Sequence, residues 1–199
     1  DDMAHRVEFL PDRPQKLHLF LPGRLHSGEK AVLHGLFTDK YHNPCRNNRP
    51  NFRFTLYIQH ENNPLQKVIS PVIYQDFPSF HVELSVDKPG MYRISALDSN
   101  GNILSESNPL QIIDITDKSP NIYWGEIHAH CEMSDGIGTY TDLFRFGRDI
   151  ASLDFAASAD HACYFSDNEW ETMQDICNSY NCDGSYTTLI GYEWAGKQV

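Results

Sequence analysis

The hydrophobic period of this chain changes once, near residue 120, and that change limits the folds open to it. Before it, apolar residues alternate singly; after it, short apolar runs alternate with stretches of helical spacing. In FRFTLYIQH (52–60), Phe52, Phe54, Leu56 and Ile58 fall on one face and Arg53, Thr55, Tyr57 and Gln59 on the other. HVELSV (81–86) repeats the pattern with Val82, Leu84 and Val86. A period of two means a strand with one buried face, because successive side chains point to opposite sides. GMYRISALDSNGNILSES (90–107) predicts a hairpin turning at Asn100–Gly101, since both residues tolerate positive φ. Further strands are expected at 30–38, 66–74 and 109–115. About seven strands with frequent turn signals predict an antiparallel β-sandwich, immunoglobulin-like, over residues 1–118.

The polar stretch ITDKSPN (115–121) marks a boundary, and residues 119–199 read differently. IYWGEIH (122–128), LDFAASA (153–159) and YTTLIGYEW (186–194) are short strands. Thr139 caps a helix through DLFRFGRDIA, with Leu143, Phe146, Gly147 and Ile150 at helical spacing. Ser166 and Glu169 form a capping box, so a second helix is expected over 167–178. The order β-α-β-α-β predicts parallel strands joined by right-handed crossovers.

Charge separates the same two segments. Residues 1–118 hold 13 Lys and Arg against 14 Asp and Glu, a net of −1; residues 119–199 hold 3 against 13, a net of −10. Nucleic-acid binding through a basic patch is therefore not expected, since it is driven by Lys and Arg neutralising phosphate. Carboxylates of the second segment are either a solvated surface or face a bound cation. No apolar run approaches the roughly 18 to 20 residues of a membrane span. The first residues, DDMAHR, are polar and are not read as a signal peptide; the compartment stays open, with an extracytoplasmic lean. Cys45, Cys131, Cys163, Cys177 and Cys182 contain no CxxC pair, which argues against a structural zinc knuckle.

The chemistry gathers at the carboxyl ends of the three later strands. His128 and His130 follow the first, Asp160 and His161 the second, and Glu193 ends the third. Sites in α/β folds form on that edge. In His128-Ala129-His130 the imidazoles are i and i+2, so extended backbone points both to one side. Asp135, in the turn-like Ser134-Asp135-Gly136, can fold back as a carboxylate ligand. Mixed nitrogen and oxygen donors suit zinc, manganese or iron. The seven histidines of the first segment are scattered singly and read as ordinary surface or core residues.

IYWGEIHAHCEMSDG, LDFAASADH and LIGYEW together resemble the opening motifs of the polymerase-and-histidinol-phosphatase (PHP) domain, and most of all the PHP-like family DUF3604. The resemblance implies a distorted (β/α)7 barrel holding two or three divalent transition-metal ions. It carries over His128, His130, Asp135, His161 and Glu193 as ligands, with Glu193 as the bridge. Asp160 then orients an imidazole through its other nitrogen. Three strands do not close such a barrel, so the remainder is expected as another segment or another chain.

The expected function is metal-dependent hydrolysis of a phosphoester or related ester, in a small or oligomeric substrate, through a metal-activated water. The alternative is a non-catalytic module that binds a glycan or protein and keeps a vestigial metal site. Metal content and esterase activity separate the two.

Overall fold

The structure is a computed structural model that describes residues 10–45, 52–68, 72–74 and 78–194. It divides into two compact units between Asn121 and Ile122. The first unit is built of strands β1 (Lys16–Phe20), β2 (Arg24–His26), β3 (Lys30–Thr38), β4 (Thr55–His60), β5 (Gln66–Lys67), β6 (Ile73–Tyr74), β7 (Ser79–Ser85), β8 (Gly90–Leu97), β9 (Ile103–Glu106) and β10 (Leu110–Ile113). One sheet runs β1-β3-β7-β6; the other runs β2-β10-β8-β4-β5, with β9 also on β8. Leu17, Leu33, Phe80 and Val82 of the first sheet and Leu56, Ile94, Leu110 and Ile112 of the second are buried in one shared core. Each such side chain contributes about 1.5–3 kcal/mol relative to exposure. Gly35 pairs across β3–β7 with Phe80, and the phenyl ring occupies the space a Cβ at Gly35 would need.

Three details depart from the sequence reading. Among the described residues the first unit's strand pairing is antiparallel except for β2 with β10, which is parallel. The strand expected at 66–74 is two short pieces in different sheets, β5 beside β4 and β6 beside β7, and its middle, 69–71, lies outside the described residues. The hairpin turn is not a two-residue Asn-Gly turn. Gly101 alone has positive φ there (83°), and Asp98 accepts the amides of Asn100 and Asn102, each at 2.8 Å. A register shift between Ala96 and Leu97 absorbs the longer loop.

A buried carboxylate fastens the end of β3. Asp39 is 1% exposed and accepts the backbone amides of Asp12 (3.1 Å), Tyr41 (2.8 Å) and Asn43 (3.0 Å). Burial alone would raise its pKa, but the Asn43 side chain and these amides outweigh burial and hold it at about 2. A depressed folded pKa stabilises the fold above the ordinary value of 3.8 and is lost as pH falls through about 2. Asp39→Ala is therefore expected to lower the urea midpoint at pH 7, with the gap to wild type narrowing toward pH 2. A gap that does not change with pH would contradict this account.

The second unit alternates β11 (Gly125–Ala129), α1 (Tyr140–Arg145), β12 (Phe155–Ser158), α2 (Asp167–Tyr180) and β13 (Thr187–Leu189). The strands lie in the order β11-β12-β13, and both pairs are parallel. Among the described residues this sheet is open and closes no barrel. Thr139 and Asp142 form a reciprocal capping box at α1, as Ser166 and Glu169 do at α2. Of the helical stripe expected from Leu143, Phe146, Gly147 and Ile150, Gly147 is buried, Leu143 is partly buried against the core, and Phe146 departs from it. A π-helical turn, Phe146–Ile150, follows α1, and the buried stripe runs through Tyr140, Phe144 and Gly147 at i, i+4 and i+7, which leaves Phe146 exposed. A Cβ at Gly147 would sit 2.5 Å from Tyr186 Oη, whose hydroxyl donates to the Phe144 carbonyl at 3.2 Å. With Cys131, Ala156, Met173 and Cys177 these residues make the unit's own core. All five cysteines are free thiols. No helix among the described residues is long and apolar enough to cross a membrane.

Candidate metal centre

The ends of β11, β12 and β13 are tied together by backbone. Ala159 N donates to Ala129 O at 2.9 Å, Glu193 N to Asp160 O at 3.0 Å, and Ala162 N to Glu193 O at 3.1 Å. His161 and Glu193 thus face each other as a parallel bridge. On the other side, β11 carries a register irregularity between Glu126 and Ala129, where the Glu126 carboxylate takes the His128 amide at 2.8 Å. Bulges of this kind re-aim side chains at sites. The stacked rings of His128 and His130, with centroids 5.2 Å apart, are turned toward Glu193.

Three imidazoles surround one carboxylate oxygen. Glu193 Oε2 lies 3.1 Å from His128 Nε2, 3.3 Å from His130 Nε2 and 3.5 Å from His161 Nδ1. Metal–ligand bonds near 2.0–2.2 Å place donors on one ion roughly 3 to 4 Å apart. Asp135 sits behind two of these rings, with Oδ1 2.6 Å from His130 Nδ1 and Oδ2 3.6 Å from His161 Nε2. Two overlapping donor groups result: His128, His130 and Glu193, and His130, Asp135 and His161. In each group the donor atoms lie within 4.8 Å of one another.

The donor set fits a cation on a further observation. His130 Nε2 and His161 Nδ1 are buried and make no hydrogen bond among the described residues, although both face Glu193 Oε2 at ion-pair distance. A buried nitrogen without a hydrogen bond costs stability unless another partner takes it. The hydrogen bond that His130 donates to Asp135 raises the pKa of His130 above its ordinary value, and the same bond lowers that of Asp135. That bond also keeps the His130 proton on Nδ1 and leaves Nε2 as the atom facing Glu193.

Asp160 does something other than orient an imidazole. Its carboxylate is fully buried and is taken up by the turn after His130: the Cys131 amide at 2.9 Å, the Ser134 hydroxyl at 2.7 Å and the Cys131 thiol at 3.3 Å. Burial pushes the Cys131 thiol up to about 12, so it remains a protonated donor to Asp160 rather than a thiolate facing the cluster. Ser134, Gly136 and Glu126 matter to the geometry and are not singled out by sequence reasoning. The one available signal for Ser134 and Gly136 is their place on either side of Asp135.

Fold and site together define a parallel β/α unit that presents three histidines and two carboxylates at its strand ends. A family model described as "Protein of unknown function (DUF3604)" matches residues 146–199, the stretch that contains Asp160, His161 and Glu193. The match begins after His128, His130 and Asp135. An uncharacterized protein of Chlamydia pneumoniae is 23% identical over 187 residues, which cover 92% of this chain and 29% of that protein. An uncharacterized protein of Chlamydia muridarum is 20% identical over 188 residues, with the same coverage of 92% and 29%. The chain thus spans less than a third of the length of these relatives.

Proposed function

We propose that the second unit is part of a PHP-like metal-dependent hydrolase domain acting on a phosphoester or related ester. The observation that carries this reading is the meeting of three imidazole nitrogens on Glu193 Oε2, two of them buried without a hydrogen bond. His128, His130, Asp135, His161 and Glu193 would hold two or three zinc, manganese or iron ions, with Glu193 the shared carboxylate. Such ions, when bound, lower the pKa of water and neutralise charge that develops on an oxyanion.

The chain's own residues supply the rest. Asp135 keeps a proton on His130 Nδ1, so the opposite nitrogen stays directed at the cluster. The parallel bridge between His161 and Glu193 fixes two donors on neighbouring backbone segments before any ion arrives. His128 is 61% exposed in its side chain, which leaves one side of the cluster open to a substrate. Exposed Ile127 of β11 and Leu189 of β13 accord with three strands belonging to a larger (β/α)7 barrel, because parallel sheets are normally covered on both faces.

The test is metal content and turnover of the purified intact protein. Two or more equivalents of zinc or manganese, with hydrolysis of a generic aryl phosphate that His128→Ala abolishes, are the expected results. A chain that takes up no transition metal under these conditions would overturn the reading. If it then also bound a polysaccharide, it would be a binding module.

A further inference from the structure

Asp160 stands outside the proposed ion set, yet among the described residues of the second unit it is the charged side chain that is buried. All three groups it accepts belong to one turn, from Cys131 to Ser134. That turn is closed on itself, with Ser134 N and Gly136 N both donating to Cys131 O, at 3.2 and 2.9 Å. Asp135 lies between these two anchored residues. Its own carboxylate is 62% exposed in the side chain, yet its two oxygens lie 2.6 Å from His130 and 3.6 Å from His161. An exposed carboxylate on a free turn would lose backbone as well as side-chain entropy by staying there. Here the cost is reduced, because the backbone carrying Asp135 is already fixed on both sides.

We infer that Asp160 is a positioning residue: through the Cys131 amide and the Ser134 hydroxyl it holds the turn that sets Asp135 against His130 and His161. The contrast between the two carboxylates supports this. Asp160 is buried and bonded to donors of one turn; Asp135 is exposed, hydrogen-bonded to His130 and at ion-pair distance from His161. Ser134 Oγ stands between them, 2.7 Å from Asp160 Oδ1 and 3.4 Å from Asp135 Oδ1, and its single hydroxyl proton goes to the nearer oxygen. The consequence for ion binding rests on the hydrolase reading, whereas the Asp135–His130 contact does not.

The experiment uses the whole chain, both units together, and compares wild type, Ser134→Ala, Ser134→Thr and Asp160→Ala. In the metal-free protein, nitrogen-15 NMR reads the His130 Nδ1–H that Asp135 accepts, urea unfolding reads stability, and zinc titration reads affinity. Ser134→Ala removes one bond to Asp160 and leaves the Cys131 amide in place. It is expected to weaken or broaden the His130 Nδ1–H signal and to lower zinc affinity about 10- to 100-fold, the range for outer partners of metal sites. Its unfolding midpoint should fall by no more than one lost hydrogen bond to a buried carboxylate explains, with the fold kept, and Ser134→Thr, which keeps the hydroxyl, should restore both signals. Asp160→Ala should lose the Nδ1–H signal wherever it folds. If Ser134→Ala keeps both the Nδ1–H signal and wild-type zinc affinity, the positioning role is overturned. If wild type binds no zinc but Ser134→Ala still loses the Nδ1–H signal, the ion reading falls and the positioning role stands.

Discussion

Glu193→Gln is expected to lower zinc affinity by more than about 100-fold, beyond the roughly 10- to 100-fold effect of outer partners in metal sites, while both units stay folded. The side chain meets three imidazoles through a single oxygen, so one isosteric substitution removes a charge that all three rings face. Glutamine keeps the volume but loses the negative charge, and its amide N–H groups can point at nitrogens that should face a cation. The fold is insulated from the change. Glu193 is held in the sheet by its backbone, through its amide to Asp160 O and its carbonyl from Ala162 N. Isothermal titration with zinc, alongside thermal unfolding of the metal-free protein, separates the two effects. Wild-type affinity in Glu193→Gln would mean that the convergence on Oε2 has no part in binding an ion.

Much of the fold is legible from local pattern. The run at 30–38 is β3 residue for residue, and α2 begins where the Ser166 and Glu169 capping box places it. These features are local, so a short window of sequence contains their cause. The histidines and Glu193 are legible for a related reason: each stands at the end of an apolar run, and parallel pairing brings such ends to one edge. What is not legible depends on atoms distant in sequence. A π-helical turn follows α1, and nothing in FRFGRDI announces it. Asp160 looks like a partner for the histidine beside it, but its carboxylate lies against a turn about thirty residues earlier, at Cys131 and Ser134. The role of Asp98 in the hairpin is local yet easily missed, because Asn-Gly is the stronger turn signal and draws the eye from it.

Gly136→Ala should disable the cluster and destabilise the second unit, and the cause is contact rather than backbone freedom. In Ser134-Asp135-Gly136 a glycine suggests a turn that needs positive φ, but Gly136 is not among the residues with positive φ. A Cβ there would instead lie 2.2 Å from His130 O, 2.3 Å from His130 C and 2.6 Å from Cys131 N. All three are backbone atoms, so no side chain can swing aside and the turn itself must open. Overpacking of this kind costs typically about 1–3 kcal/mol, occasionally more. Opening the turn also breaks the Gly136 N–H bond to Cys131 O and carries Asp135 away from His130. Zinc affinity is therefore expected to fall together with the unfolding midpoint. Gly101→Ala is the matched control in the first unit. Gly101 has a φ of 83° and nothing within 4 Å of an added Cβ, so its cost is the left-handed backbone alone, about 1–2 kcal/mol. Gly101→Ala should leave zinc binding unchanged. Unimpaired zinc binding by Gly136→Ala would show that the tight approach of this turn to His130 is not what places Asp135.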